Sequence, residues 1–114
     1  MYGYASQWLP ATLLAPARRG QLAGALVEAA QFQAVELHVN KGLAGAPAEV
    51  NEHARQCAMN PKVADAFALM IVAAGGPPPF AGLPITPPDM TEAHRQAERV
   101  AKAAAVLGAL SPQS

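Results

Sequence analysis

The sequence predicts an α+β fold in which a small antiparallel or mixed sheet of about three strands is backed by three helices. Three observations favour this class. Strand-like and helix-like stretches alternate along the 114 residues. The helical stretches carry their apolar residues on one stripe, and turns rich in glycine or proline separate the elements. The length suits a single domain, residues 1–114, with a modest core.

The first part of the chain predicts a strand followed by a helix. Residues 2–8 are short and aromatic, as is typical of an edge strand. Pro16 suits the first position of a helix that carries Leu22 on its apolar stripe. Gly20 and Gly24 lie four residues apart in this helix. Their spacing predicts a helix face that packs closely, most simply against the sheet.

Residues 34–40 alternate between apolar and polar side chains, which predicts a second strand. Successive side chains on a strand point to opposite faces of the sheet. One face therefore receives Val35, Leu37 and Val39, and the other receives Glu36, His38 and Asn40. Lys41 and a glycine-containing turn follow. The spacing of the glycines in this turn matches neither a phosphate loop nor a dinucleotide fingerprint. We interpret this turn as a tight connection between a strand and a helix.

The second part of the chain predicts helix, strand and helix. Pro47 opens a helix that turns Val50 and Cys57 inward. The apolar run AFALMIVAAGG, residues 66–76, favours a strand covered on both faces, although its periodicity also fits a buried helix. Asp89, followed three residues later by Glu92, is typical of a capping-box start for the last helix.

Composition excludes several classes of function. Eight basic and eight acidic residues give zero formal net charge, so nothing steers the chain to nucleic acid or to an anionic membrane surface. The single cysteine excludes an internal disulfide and a cysteine-based zinc site, and the three histidines lack metal-pair spacing. No stretch approaches the roughly 20 apolar residues of a membrane span. We expect a soluble, cytoplasmic protein without a metal centre.

His38 is the strongest candidate for chemistry, because a strand would hold it rigidly between Glu36 and Asn40. If a ligand or partner covers that face, His38 can act as an acid, a base or a hydrogen-bond donor near neutral pH. A sheet face open to water gives the same alternation without any function. Both interpretations stay open on these residues, and no nucleophile triad can be assembled around a serine.

Three longer stretches resemble a known family. They are GYASQWLPATLL (3–14), LHVNKGLAGAPAE (37–49) and AMNPKVADAFALMIVAAGGPPPFAGLP (58–84). In this order they resemble bacterial FAD-linked oxidases of the vanillyl-alcohol oxidase superfamily, of the berberine-bridge type. The resemblance covers nearly the whole chain, and NKGLAGAP is its most specific part. The family usually carries phenylalanine where this chain has Val39.

The resemblance implies that residues 1–114 are part of a substrate-binding domain whose antiparallel sheet roofs the isoalloxazine ring of FAD. The FAD-binding domain of the family has no counterpart in this sequence. A flavin-binding domain in cis or trans would then be the partner, and the oxidised substrate would be an organic alcohol, sugar or related metabolite. The substrate-facing candidates are Glu36, His38, Asn40 and Lys41. On its own the chain is not expected to be catalytic.

The alternative is a small stand-alone α+β binding or dimerisation module without catalysis. A neutral, alanine-rich chain with an uncovered strand face favours self-association. The two hypotheses differ in what they predict for flavin binding. Only the first predicts that the chain gains FAD binding when the missing domain is supplied.

Overall fold

The computed structural model describes residues 1–39, 46–57, 60–76, 82 and 87–111. These residues form three strands and four helices, so the predicted small α+β fold is confirmed with one helix more than expected. The strands are β1 (Gly3–Pro10), β2 (Val35–Val39) and β3 (Ala66–Ala74). The helices are α1 (Arg19–Phe32), α2 (Ala48–Arg55), α3 (Lys62–Asp65) and α4 (Met90–Gly108), and a short 3₁₀ turn spans Ala11–Leu14.

The sheet is antiparallel throughout, and its strand order is β1-β3-β2. The apolar run of β3 forms the central strand, which fits its lack of polar side chains. Trp8 of β1 and His38 of β2 both lie opposite Leu69, on its two sides. Ser6 and Glu36 flank Ile71 in the same way. The β1–β3 register shifts once, between Leu9 and Pro10.

The core lies on one face of the sheet, under α1 and α4. Met70 and Val72 of β3 pack there against Leu9, and Leu107 and Val100 of α4 complete the same cluster. No polar or charged side chain is buried in the part of the chain that the structure describes. Burial of small and medium aliphatic side chains therefore supplies the stabilisation of this layer.

Only the Asp89 half of the predicted capping box forms at the start of α4. The Asp89 side chain accepts hydrogen bonds from the backbone N–H groups of Thr91 (2.9 Å) and Glu92 (3.1 Å). Glu92 does not close the capping box. Its carboxylate accepts a hydrogen bond from Gln96 Nε2 at 2.8 Å and another from Arg95. The cap satisfies two of the N–H groups that a helix leaves free at its first turn.

Helix α1 begins at Arg19, so the prediction that Pro16 opens it is wrong. Residues 16–18 form a turn, in which the N–H groups of Arg18 and Arg19 both donate to the carbonyl of Ala15. The prediction for Gly20 and Gly24 is also wrong, because a Cβ built at either position meets no atom within 4 Å. Both glycines are exposed, so this face of α1 is not closely packed.

Helix α2 forms as predicted but does not bury its apolar residues. Val50 and Cys57 are exposed, which corrects the expectation that they point inward. Among the described elements α2 contacts α3 instead of the sheet. Arg55 at its end pairs with Asp65, and this hydrogen bond raises the pKa of the Arg55 guanidinium. The ion pair thus links the two short helices.

Strand β3 is covered by helices on one face only, as far as the described residues extend. Its alternate residues Leu69 and Ile71 are half-buried, and Ala73 is exposed. The prediction of a strand covered on both faces is therefore wrong within these ranges. An apolar run of strand length marks the centre of a sheet, but it does not by itself fix what lies on the second face.

Candidate functional site: the outer sheet face

The side of the sheet that faces away from α1 and α4 carries a compact group of side chains, which we call the outer face. It consists of Tyr4, Ser6, Trp8, Glu36, His38, Leu69, Ile71 and Ala73. Directly opposed residues in an antiparallel sheet share one face. Trp8, Leu69 and His38 therefore form one row, and Ser6, Ile71 and Glu36 form the next. The apolar side chains of β3 occupy the middle of both rows.

The strand spacing fixes the size of this surface. Neighbouring strands lie about 4.8 Å apart, so the backbones at Trp8 and His38 are about 10 Å from each other across Leu69. Trp8, Leu69 and Ile71 are half-buried, whereas Ser6 is exposed. The outer face is thus a shallow apolar platform with polar groups along both edges.

Glu36 and His38 form the polar edge on β2. His38 Nε2 lies 3.4 Å from Glu36 Oε2, which is a long hydrogen bond and an ion pair only when the imidazole is protonated. The two side chains are 71% and 59% exposed, respectively. An exposed pair of this kind stabilises a fold by about 0–1 kcal/mol. Its effect is to orient the imidazole along the strand, with one ring nitrogen near the carboxylate.

The chemistry available on the outer face is acid–base chemistry and apolar contact. An imidazole changes its protonation state near neutral pH, and a neighbouring carboxylate can hold its orientation. Trp8 and Leu69 offer a surface for a planar or apolar group. Ser6 lies two strands, or about 10 Å, from Glu36 and farther still from His38, which is in the next row, so no serine–histidine nucleophile forms here. The arrangement fits binding and proton transfer better than covalent catalysis.

The predicted alternation of β2 is confirmed. Glu36 and His38 lie on the outer face, and Val35, Leu37 and Val39 lie on the side that carries the core. Leu37 and Val39 nevertheless remain 38% and 59% exposed. The other two candidates, Asn40 and Lys41, lie outside the described residues, as does the glycine-containing turn that follows them.

Sequence reasoning missed that Trp8 and Ser6 share a face with His38. It predicted an edge strand for residues 2–8 but assigned none of their side chains to a functional face. The signal that could have found them is the alternation of Tyr4, Ser6 and Trp8 along β1. Only the cross-strand register, however, brings that row beside Leu69 and His38.

The described part of the chain contains no group of three or more histidine, cysteine or acidic residues arranged to hold a metal ion. Within the same ranges, no helix has both the length and the apolar character to cross a membrane. Comparison of the chain with protein-family models, curated proteins and solved structures found no match.

Proposed function

We propose that this chain is the substrate-domain portion of a FAD-dependent oxidoreductase and is inactive on its own. The substrate would be an organic alcohol, sugar or related metabolite, with electrons passing to oxygen. Two supports are independent of each other. The first is the resemblance of NKGLAGAP and the flanking stretches to FAD-linked oxidases. The second is the outer face.

The outer face is the observation on which this proposal most depends. A wall of a substrate site needs an apolar surface and a few polar groups that fix orientation. Leu69 and Ile71 provide the apolar centre beside the Glu36–His38 pair. Asn40 and Lys41, next along the chain, are further substrate-facing candidates in this proposal. In this role His38 would hold or accept a proton of the substrate hydroxyl.

The fit to FAD is partial. The half-buried Trp8–Leu69 platform suits contact with a planar ring. Arg18 and Arg19 lie at the start of α1, but Arg18 donates a hydrogen bond to the carbonyl of Leu110 at 2.9 Å. The starts of α2 and α4 carry the acidic residues Glu49 and Glu92 in their first turns, which disfavours a diphosphate there. We therefore assign the phosphates and adenine of FAD to a flavin-binding domain, supplied in cis or trans. Bound FAD would accept a hydride from the substrate. This chain would orient the substrate and exclude water.

The open outer face supports an incomplete domain. Leu69 and Ile71 at its centre are only half-buried, and Tyr4 at its edge is 52% exposed. A sheet face left open in this way is what a missing partner would cover. A cytoplasmic location completes the proposal, since the free Cys57 thiol suits a reducing compartment.

The test is reconstitution. The chain is mixed or co-expressed with the flavin-binding domain of an oxidase that it resembles, and FAD absorbance is followed through gel filtration while peroxide release is measured with alcohols and sugars. We expect FAD to elute with the complex and peroxide to form. His38→Ala should lower turnover at least tenfold, whereas the exposed helix variant Glu98→Ala should not. Failure of the chain to bind the flavin domain would contradict the proposal.

A specific observation favours the alternative, a stand-alone binding or dimerisation module. Leu37 and Val39 lie exposed on an edge strand, and exposed apolar edges promote association. The mass of the native product in the source cells separates the two hypotheses. A product several times heavier than 11.8 kDa supports the oxidoreductase, and a product of that mass which never binds flavin supports the module.

A further inference from the structure

We propose that β2 pairs with β2 of a second copy of this chain, about a two-fold axis through Leu37. The result is a six-stranded antiparallel sheet with the strand order β1-β3-β2-β2-β3-β1. This inference goes beyond the proposed function and does not depend on flavin. It rests on the position of β2, on its side chains and on the symmetry of its sequence.

The position of β2 leaves one of its edges open. In the described ranges β2 pairs with β3 alone and ends the sheet. In natural proteins, a proline, a lysine or a bulge within an edge strand prevents another strand from pairing with it. β1, the other end strand, has Pro10 and a register shift beside it. β2 is short and carries Glu36, but Val35–Val39 contains no proline, lysine or register shift, so β2 is the edge more open to another strand.

The polar side chains select the register. An axis through Leu37 sets Glu36 of each copy opposite His38 of the other, twice, on the outer face. A carboxylate directly opposite an imidazole can accept its hydrogen bond, whereas like charges directly opposite oppose the pairing. An axis through Glu36 or His38 would instead set that residue against its own copy. Both side chains are largely exposed, so the Glu36–His38 contact within one copy can be exchanged for the contact across the axis.

The apolar side chains give the same register. The axis through Leu37 sets the two Leu37 side chains opposite each other and sets Val39 against Val35 of the partner copy. Leu37 and Val39 are the exposed apolar residues of β2, and this pairing reduces the area that each exposes to water. A two-fold contact also closes on itself, so assembly stops at the dimer.

Crosslinking tests the register. Leu37→Cys is made in a Cys57→Ser background, and disulfide formation is followed under mild oxidation. Opposed residues of antiparallel strands have Cα atoms about 4.5–5.5 Å apart, within the range of a disulfide. We expect Leu37→Cys to form dimers at least tenfold faster than the control Val27→Cys, which lies on α1 and is 65% exposed. Equal rates at the two positions would overturn the proposal.

Sedimentation of the unmodified chain tests the dimer without any substitution. At about 100 µM, a concentration suited to a small interface, the mass should approach twice 11.8 kDa. Glu36→Lys should weaken association at least tenfold, and the double variant Glu36→Lys/His38→Glu should recover it. Glu98→Lys on α4 is the control for the same charge change. A monomer at 100 µM, or no response to Glu36→Lys, would refute the pairing.

Discussion

His38 is held by the backbone of β2 and by little else. Its side chain is largely exposed, and among the described residues it contacts Glu36 at 3.4 Å. Surface substitutions of this kind change the free energy of unfolding by about 0.5 kcal/mol or less. We therefore expect His38→Ala to leave the urea midpoint nearly unchanged. A loss of stability well above that value would show that His38 is structural, and any loss of turnover would then need another explanation.

Asp89 has the opposite character, because its carboxylate serves the helix and not a ligand. It accepts from two backbone N–H groups at the start of α4. Asp89→Ala should lower the free energy of unfolding by about 1 kcal/mol, the usual cost of removing an N-cap. Thermal unfolding followed by circular dichroism measures this change. Glu98→Ala, farther along the same helix, provides the matched control and should have little effect.

The sequence predicted the position or role of a single residue where neighbouring residues in the chain determine it. The period of two along a strand set Glu36 and His38 on one face, and the side chain of Asp89 can cap a helix wherever that helix packs. The neighbours of His38 were not predictable. Trp8 and Leu69 reach it through pairings between strands far apart in the chain, and no local pattern sets that register.

Helix α1 shows the same limit at the scale of an element. The spacing of its apolar residues predicted a helix, but the face that carries Gly20 and Gly24 is open. Glycine in a helix interior is less favourable than alanine by about 1 kcal/mol. Gly24→Ala should therefore stabilise the chain by about that amount in chemical denaturation. Destabilisation by this substitution would mean that the face is occupied.

Gly3 of β1 provides the contrast. A Cβ at this position would lie 3.2 Å from Val100 Cβ and 3.3 Å from Ala97 Cα, both on α4. These distances are shorter than ordinary contacts, and overpacking a fitted interface costs about 1–3 kcal/mol. We expect Gly3→Ala to lower the unfolding midpoint under the conditions in which Gly24→Ala raises it. An unchanged midpoint would show that α4 can move away from β1.

The whole molecule combines a one-sided core with a large exposed surface. Leu9, Met70 and Leu107 are fully buried or nearly so, while the outer face and the edge of β2 stay open. We expect marginal stability in the monomer. If β2 pairs between copies, dimerisation stabilises the folded state by mass action, so the thermal midpoint should rise with protein concentration. A midpoint that is independent of concentration would contradict dimer-linked stability.

Two side-chain hydrogen bonds at the end of α4 have a consequence for the rate of folding. Gln7 Nε2 donates to the carbonyl of Ser111 at 3.2 Å, and Arg18 donates to the carbonyl of Leu110 at 2.9 Å. The bonded residues are 104 and 92 positions apart in the chain. Closing such long loops loses chain entropy before any contact compensates for it, and topologies rich in distant contacts fold slowly. We therefore expect the contacts that join β1 to the end of α4 to form late in folding, while the apolar edge of β2 is still open to other copies of the chain.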